Sequence, residues 1–148
     1  MKFAEIAAAG HFVLGPVAAD SDEVVAFASS FDDQWFHTDA QAAAQGPFGG
    51  LIASGWHTCA LAMRLVSREL LAGSESFASP GLAYLRWPHP VRPGDQLMLE
   101  VTVREARRSG SRPEVGIVRW QWVLRNSDDQ VVLDLEATSM FALGAAVA

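Results

Sequence analysis

The second half of the chain alternates apolar and polar positions with a period of two, which is the pattern of half-buried β-strands. Strands are predicted over residues 82–87, 97–104, 117–126 and 131–138. Short polar turns separate the last three strands, and such turns join antiparallel neighbours. The sequence therefore predicts an antiparallel meander at this end of the chain.

The first half of the chain carries one short strand and three segments with helical spacing of apolar residues. The strand covers residues 11–18 and is interrupted by Gly15 and Pro16. Asp20 or Ser21 caps the helix that follows, which ends near Phe31. A second short helix, capped by Thr38 or Asp39, is predicted over residues 38–45, and a long one over residues 51–72.

The long predicted helix is apolar on more than one side. One stripe at helical spacing contains Ile52, Trp56, Cys59, Ala60, Met63, Val66 and Leu70, and several leucines fall outside it. A helix that is apolar nearly all round is expected to be enclosed by other elements. The predicted fold class is therefore α+β, with an antiparallel sheet wrapped around a long central helix.

Composition narrows the class of protein. The 148 residues are 50% apolar and 19% charged, which is typical of one globular domain, here residues 1–148. The net charge of -6 argues against a nucleic-acid partner. A single cysteine, Cys59, rules out an internal disulfide. With no secretion signal or membrane span evident, we expect a cytoplasmic protein without a membrane partner.

The segment most suggestive of chemistry places Asp32 and His37 five residues apart among three aromatic residues. Soon afterwards Gly49 and Gly50 lead to the long helix, whose predicted first turn holds Ser54 and Gly55. A carboxylate and an imidazole move protons, and a helix start offers free N–H groups to a developing oxyanion. The alternative interpretation is structural, with Asp32 capping a turn and His37 lying at the surface or, hydrogen-bonded, in the core.

Other candidate residues also carry two interpretations. Gln34 either holds a water or a substrate carbonyl, or is a turn residue. Trp35, Phe36 and Trp56 either line a substrate pocket or fill the core. Ser54 lacks the G-x-S-x-G frame of a serine hydrolase, and Cys59 lies on the apolar stripe as a core thiol. The four histidines show no metal-ligand spacing, so no metal site is expected.

These motifs resemble the MaoC-like dehydratase family, close to the (R)-specific enoyl-CoA hydratases, which have the hotdog fold. The resemblance covers nearly the whole chain and is carried by residues 32–37, 47–58, 90–95 and 136–138. Asp32 and His37 match the family signature in type and spacing. Gln34 replaces the usual Asn, Trp35 the usual proline, and Ser54 the usual histidine before Gly55.

The resemblance implies a function for these residues. A water held between Asp32 and His37 would add to C3 of a trans-2-enoyl thioester, with a proton delivered to C2, or the reverse. The Gly55 amide would polarise the thioester carbonyl, with Gln34 and Ser54 positioning the substrate. No separate cofactor is implied, because the substrate carries its own CoA or acyl carrier protein. Such domains usually form homodimers or larger homo-oligomers.

Three questions stay open from the sequence. A hotdog thioesterase would use the same helix start but attack the carbonyl, and a non-catalytic acyl-CoA-binding subunit would share the fold without turnover. The sequence also does not decide which arginines contact the CoA phosphates. Candidates are Arg86, Arg92 and the segment 107–112.

Overall fold

The computed structural model describes residues 1–144, which form one antiparallel sheet and a set of helices. The strands are β1 (His11–Ala18), β2 (Ser76–Arg86), β3 (Gln96–Arg108), β4 (Val115–Arg125) and β5 (Val131–Ala142). The helices are α1 (Phe3–Ala9), α2 (Ser21–Phe31), α3 (Trp35–Thr38), α4 (Ala40–Ala44) and α5 (Gly55–Leu65). A π-helical segment, Val66–Leu71, continues α5.

The sheet has the strand order β1-β3-β4-β5-β2, and every neighbouring pair is antiparallel. The predicted meander of β3, β4 and β5 is confirmed, although each of these strands is longer than its apolar alternation indicated. Strand β2 starts at Ser76, six residues before the predicted start at residue 82. Its first residues are mostly exposed at the edge of the sheet, so burial imposed no alternation there for the sequence to show.

The core lies between one face of the sheet and the helices. Leu99, Trp120 and Leu133 point into it from the sheet, and Leu61 and Leu65 from α5. The predicted α+β class with an antiparallel sheet around a central helix is confirmed by this arrangement.

The long helix begins at Gly55, not at residue 51 as predicted. The residues before it are held in an extended segment, because the Ile52 N–H donates to Phe36 O (3.2 Å) and the Ala53 N–H donates to Val91 O (2.8 Å). The apolar character of this segment reflects burial in the core, which periodicity does not distinguish from a helical turn.

The long helix is buried on the side that faces the sheet and exposed on the opposite side. Leu61 and Leu65 are buried, whereas Trp56 and Met63 on the predicted stripe are 58% and 42% exposed. With Ala60 they form an exposed apolar face of α5. A helix with apolar residues on every side gives no periodic signal for which side meets the sheet.

The region between α2 and α5 folds into two short helices where one was predicted. Asp39 separates α3 from α4 and caps α4, since its Oδ1 accepts from the Ala42 N–H (2.9 Å). Asp20 caps α2 in the same way, accepting from the Glu23 N–H (3.0 Å). Among residues 1–144, no helix is both long and apolar enough to cross a membrane.

Candidate active site

Asp32 and His37 meet at one side of a cavity of about 320 Å³. Asp32 is the C-cap of α2, and His37 lies on the one-turn helix α3 that follows. Their side chains approach with His37 Nε2 3.2 Å from Asp32 Oδ2. The two residues that the sequence paired by spacing are therefore paired in space, and both line the cavity.

The Asp32 carboxylate is held by two further donors. The Ser54 hydroxyl donates to Oδ2 (2.6 Å), and the Gln34 amide donates to Oδ1 (2.6 Å). The hydrogen bond from Ser54, followed by the one from Gln34, lowers the pKa of Asp32 below its ordinary value. Asp32 is therefore an ionised carboxylate at neutral pH.

His37 is buried, and a backbone contact sets the orientation of its ring. Its Nδ1 lies 2.7 Å from the carbonyl oxygen of Ile52, in the extended segment before α5. A carbonyl oxygen only accepts, so Nδ1 carries the proton in this contact. The other nitrogen, Nε2, is the one that faces Asp32.

Gly55 opens α5 and lines the same cavity. Ser54 is the N-cap of the helix, and its Oγ accepts from the Trp56 N–H (3.2 Å). The N–H of Gly55, the first helical residue, has no partner inside the helix. A Cβ added to Gly55 would lie 2.6 Å from the indole of Trp87, so the absence of a side chain allows this indole to cover the helix start.

Only one of the three residues predicted to line an acyl pocket lies in the cavity wall. Trp56 lines the cavity, but Trp35 and Phe36 do not. The Trp35 ring packs against Gly46, where an added Cβ would lie 2.8 Å away. Phe36 packs edge-on against the ring of His37, with centroids 4.3 Å apart. Gln34 and Ser54 are likewise absent from the cavity lining.

Sequence reasoning missed three aromatic residues of the cavity wall, Phe48, Trp87 and His89. Phe48 lies in the segment 47–58 that carries the family resemblance, and His89 lies between two prolines. His89 is fixed by its Nδ1, which lies 3.1 Å from Val131 O at the start of β5. The turn after β2 thus forms part of the cavity wall.

The arginines proposed for phosphate contact lie at opposite ends of the sheet. The cavity is next to Val131, whereas the 107–112 segment lies near the other end of β5, where Ala142 pairs with Val115. The 12 residues of β5 span about 36 Å at the rise of a strand. Arg92 lies beside the cavity instead, and its Nη1 donates to the carbonyl oxygen of Phe48 (2.8 Å).

A second buried histidine lies outside the cavity. His57 is 1% exposed and stacks on Phe27 at 4.8 Å, and neither ring nitrogen has a hydrogen-bond partner among residues 1–144. Its Nε2 is 3.5 Å from Glu23, which also pairs with Arg64. Within the same residues, no group of three or more His, Cys, Asp or Glu side chains is arranged to hold a metal ion.

Comparison with known proteins identifies related sequences. A family model described as MaoC like domain matches residues 7–121. The uncharacterized protein YdeM of Bacillus subtilis is 31% identical over 118 residues, which are 80% of this chain and 82% of YdeM. The 3-hydroxyacyl-thioester dehydratase Z of Mycobacterium tuberculosis is 37% identical over 99 residues, 64% of this chain and 66% of that protein.

Solved structures agree with the sequence matches. The MaoC-like dehydratase from Rhodospirillum rubrum is 38% identical, superposes with a TM-score of 0.81, and is matched over 92% of both chains. An (R)-hydratase from Pseudomonas aeruginosa, PhaJ1, has the same fold at 24% identity, with a TM-score of 0.68. The chain belongs to the MaoC-like domain family, and its architecture is the hotdog fold of that family.

Proposed function

We propose that this protein hydrates trans-2-enoyl thioesters, or dehydrates 3-hydroxyacyl thioesters in the reverse direction. The observation that carries the proposal is the convergence of Asp32 and His37, 3.2 Å apart, on the wall of one cavity that also contains Gly55. A hydratase needs a group that activates water and a donor that stabilises the negative charge on the thioester oxygen. The three residues supply both.

The proposed reaction uses each group once. Water held at the Asp32–His37 pair adds its oxygen to C3, and a proton reaches C2. The Gly55 N–H polarises the thioester carbonyl, and loss of such a donor typically lowers kcat about 10²- to 10³-fold. Acid/base catalysis by the pair contributes about 10²- to 10⁴-fold. The substrate brings its own carrier, CoA or acyl carrier protein, so no further cofactor takes part in this scheme.

The test is an assay with crotonyl-CoA. Its four-carbon acyl group suits a 320 Å³ cavity, which has room for about ten non-hydrogen atoms at the volume of liquid water. We expect the absorbance of the conjugated enoyl thioester to fall without release of free thiol. Free thiol would indicate a thioesterase, and binding without either change would indicate a non-catalytic acyl-CoA-binding subunit.

Variants of the pair give the sharper result. Asp32→Asn and His37→Ala are each expected to lower the hydration rate at least about 100-fold, because each removes one partner of the acid/base pair. The exposed residues Asp33 and His11 provide matched controls as Asp33→Asn and His11→Ala, which should retain wild-type turnover. Near wild-type hydration by either Asp32→Asn or His37→Ala would contradict the proposed roles.

We also propose that two copies pair along β2. This strand is one edge of the sheet, and Phe77 and Leu82 on it are 54% and 48% exposed. Trp87, directly after β2, packs edge-on against Trp56 at 5.4 Å, so the exposed apolar face of α5 adjoins the same edge. An unpaired edge beside exposed apolar surface favours addition of a second strand from another copy.

A further inference from the structure

Ser54 and Gln34 contact the Asp32 carboxylate and lie outside the cavity lining. Ser54 is 0% exposed, so its hydroxyl has no access to a ligand in the cavity. Gln34 is exposed, yet its amide reaches Asp32 Oδ1 at 2.6 Å. The sequence predicted that these two residues touch the substrate. Their positions in the structure favour a different role, in which they act through Asp32.

The hydrogen bond from Ser54 has a fixed direction. The Trp56 N–H donates to Ser54 Oγ (3.2 Å), which orients the hydroxyl so that its proton points to Asp32 Oδ2 (2.6 Å). This chain connects the positive end of α5 to the carboxylate, and that end favours a negative charge. Gln34 adds a donor at the other oxygen, so both carboxylate oxygens accept hydrogen bonds. Donors at both oxygens favour the ionised form and disfavour a proton on Asp32.

The imidazole of His37 is held beside Asp32 by its contact with the backbone. Nδ1 is committed to Ile52 O at 2.7 Å, and the ring is 4% exposed. Nε2 lies 3.2 Å from Asp32 Oδ2, where a negative charge stabilises the imidazolium that forms when Nε2 gains a proton.

We infer that Ser54 and Gln34 are positioning residues, which hold the Asp32 carboxylate in place beside His37 by a hydrogen bond to each of its oxygens. This inference refines the proposed hydration and uses that reaction for one of its two tests. Ser54 and Gln34 thereby take a different role from the substrate contact that the family resemblance implied.

The proton transfer balances without any other reactant. Neutral His37 Nε2 takes a proton from water as the water oxygen bonds to C3. The electrons of the C2–C3 double bond move towards the thioester carbonyl, where the Gly55 N–H stabilises the resulting enolate oxygen. The imidazolium then returns the proton to C2. One C–O and one C–H bond form, one π bond is lost, and His37 is neutral again.

The first test needs no substrate. The carboxyl group of Asp32 is titrated by ¹³C NMR in the wild-type protein, with its signal assigned by its loss in Asp32→Asn. Gln34→Glu keeps the shape of the side chain but replaces the donor with a carboxylate, and Ser54→Ala removes the hydroxyl. The Asp32 titration should move to higher pH in both variants. An unchanged Asp32 titration in both would overturn the inference.

Gln34→Glu keeps this test decisive if Ser54→Ala unfolds, because Gln34 is exposed whereas Ser54 caps α5. Gln41→Glu, the same chemical change at an exposed residue of α4, is the matched control and should leave the Asp32 titration in place.

The second test uses the hydration of crotonyl-CoA. In Gln34→Glu and Ser54→Ala, kcat should fall about tenfold or more, since each bond to a charged group contributes on that scale. KM should stay within about twofold, because neither side chain lines the cavity, and the acid limb of the kcat/KM profile should move to higher pH. A raised KM with unchanged kcat and an unchanged acid limb would show substrate contact and overturn the inference.

The two tests separate the two proposals. If the wild-type protein hydrates no enoyl thioester, the proposed function fails while the NMR titrations still decide the roles of Ser54 and Gln34. If hydration is observed but the Asp32 titration is insensitive to both residues, the positioning roles fail and the proposed function stands.

Discussion

At the scale of single residues, the clearest contrast is between two buried histidines. His37 has an oxygen atom within 3.2 Å of each ring nitrogen, whereas neither nitrogen of His57 has a hydrogen-bond partner within residues 1–144. Burial without such partners disfavours the charged ring, and it lowers the pKa of His57 below its ordinary value despite the nearby Glu23 carboxylate. His37 is suited to gain and lose a proton, and His57 to stay neutral.

The neutral state of His57 makes stability depend on pH. The unfolded chain takes up a proton at this residue near pH 6.5, while the folded protein does so only at lower pH. Folding stability is therefore complete above pH 6.5 and falls as the pH drops towards the lower folded pKa. The charged groups that face the ring are Glu23, which favours its protonation, and Arg64, which opposes it.

We expect His57→Leu to reduce this loss of stability in acid. The melting temperature of the wild-type protein should fall more between pH 8 and pH 5 than that of the variant, as measured by circular dichroism. His11→Leu, at an exposed histidine, is the control and should keep the wild-type pH dependence. An equal pH dependence for wild type and His57→Leu would show that His57 does not cause the loss.

At the scale of elements, the start of α5 is where the fold and the site depend on each other. Ser54 both caps the helix and holds Asp32, so the end of α2 and the start of α5 are joined by one side chain. Gly55 leaves space for Trp87 to lie against the first turn. The helix start is thus closely packed on one side and open to the cavity on the other.

Substitution of Gly55 tests this packing. In Gly55→Ala the added Cβ would lie 2.6 Å from the Trp87 ring, so the indole or the helix start has to move. Such overpacking typically costs about 1–3 kcal/mol, and we expect a lower melting temperature together with slower hydration. Gly50→Ala, with no atom within 4 Å of the added Cβ, should have little effect. Equal melting temperatures for the two variants would contradict the close contact.

At the scale of the whole molecule, the two edges of the sheet differ in their surroundings. Strand β1 forms one edge and β2 the other, and each exposes an apolar residue, Val13 on β1 and Leu82 on β2. Only β2 leads directly into Trp87, which contacts Trp56 on the exposed face of α5. The apolar surface is therefore wider at the β2 edge, and we expect the homodimer to form there.

A charge introduced at one edge or the other distinguishes pairing along β2 from pairing along β1. Phe77→Glu and Leu82→Glu should convert the dimer to a monomer, because each places a carboxylate in the proposed interface. Val13→Glu makes the same type of change at the opposite edge and should leave the dimer intact. Light scattering coupled to size-exclusion chromatography measures the mass of each. A wild-type monomer, or a dimer broken only by Val13→Glu, would exclude pairing along β2.

The sequence by itself determined the α+β class and the β3–β5 meander, and it narrowed each of two helix caps to a pair of residues that included Asp20 or Asp39. These features follow from local chemistry: alternation reports a half-buried strand, and a capping side chain bonds an N–H three residues away. It also singled out Asp32 and His37 by residue type and spacing. The sequence could not predict that their side chains approach to 3.2 Å, because spacing along a chain fixes no distance between side chains across a turn.

Only the tertiary structure decided which atoms surround that pair. Ser54 is 22 residues from Asp32 and Ile52 is 15 from His37, so their hydrogen bonds exist only after the segment that leads into α5 packs against the end of α2 and against α3. The same holds for the orientation of α5, because apolar residues occur on both its exposed and its buried side in the sequence. Local patterns record whether a residue is buried or capped, whereas partners distant in the chain are chosen by how the elements pack.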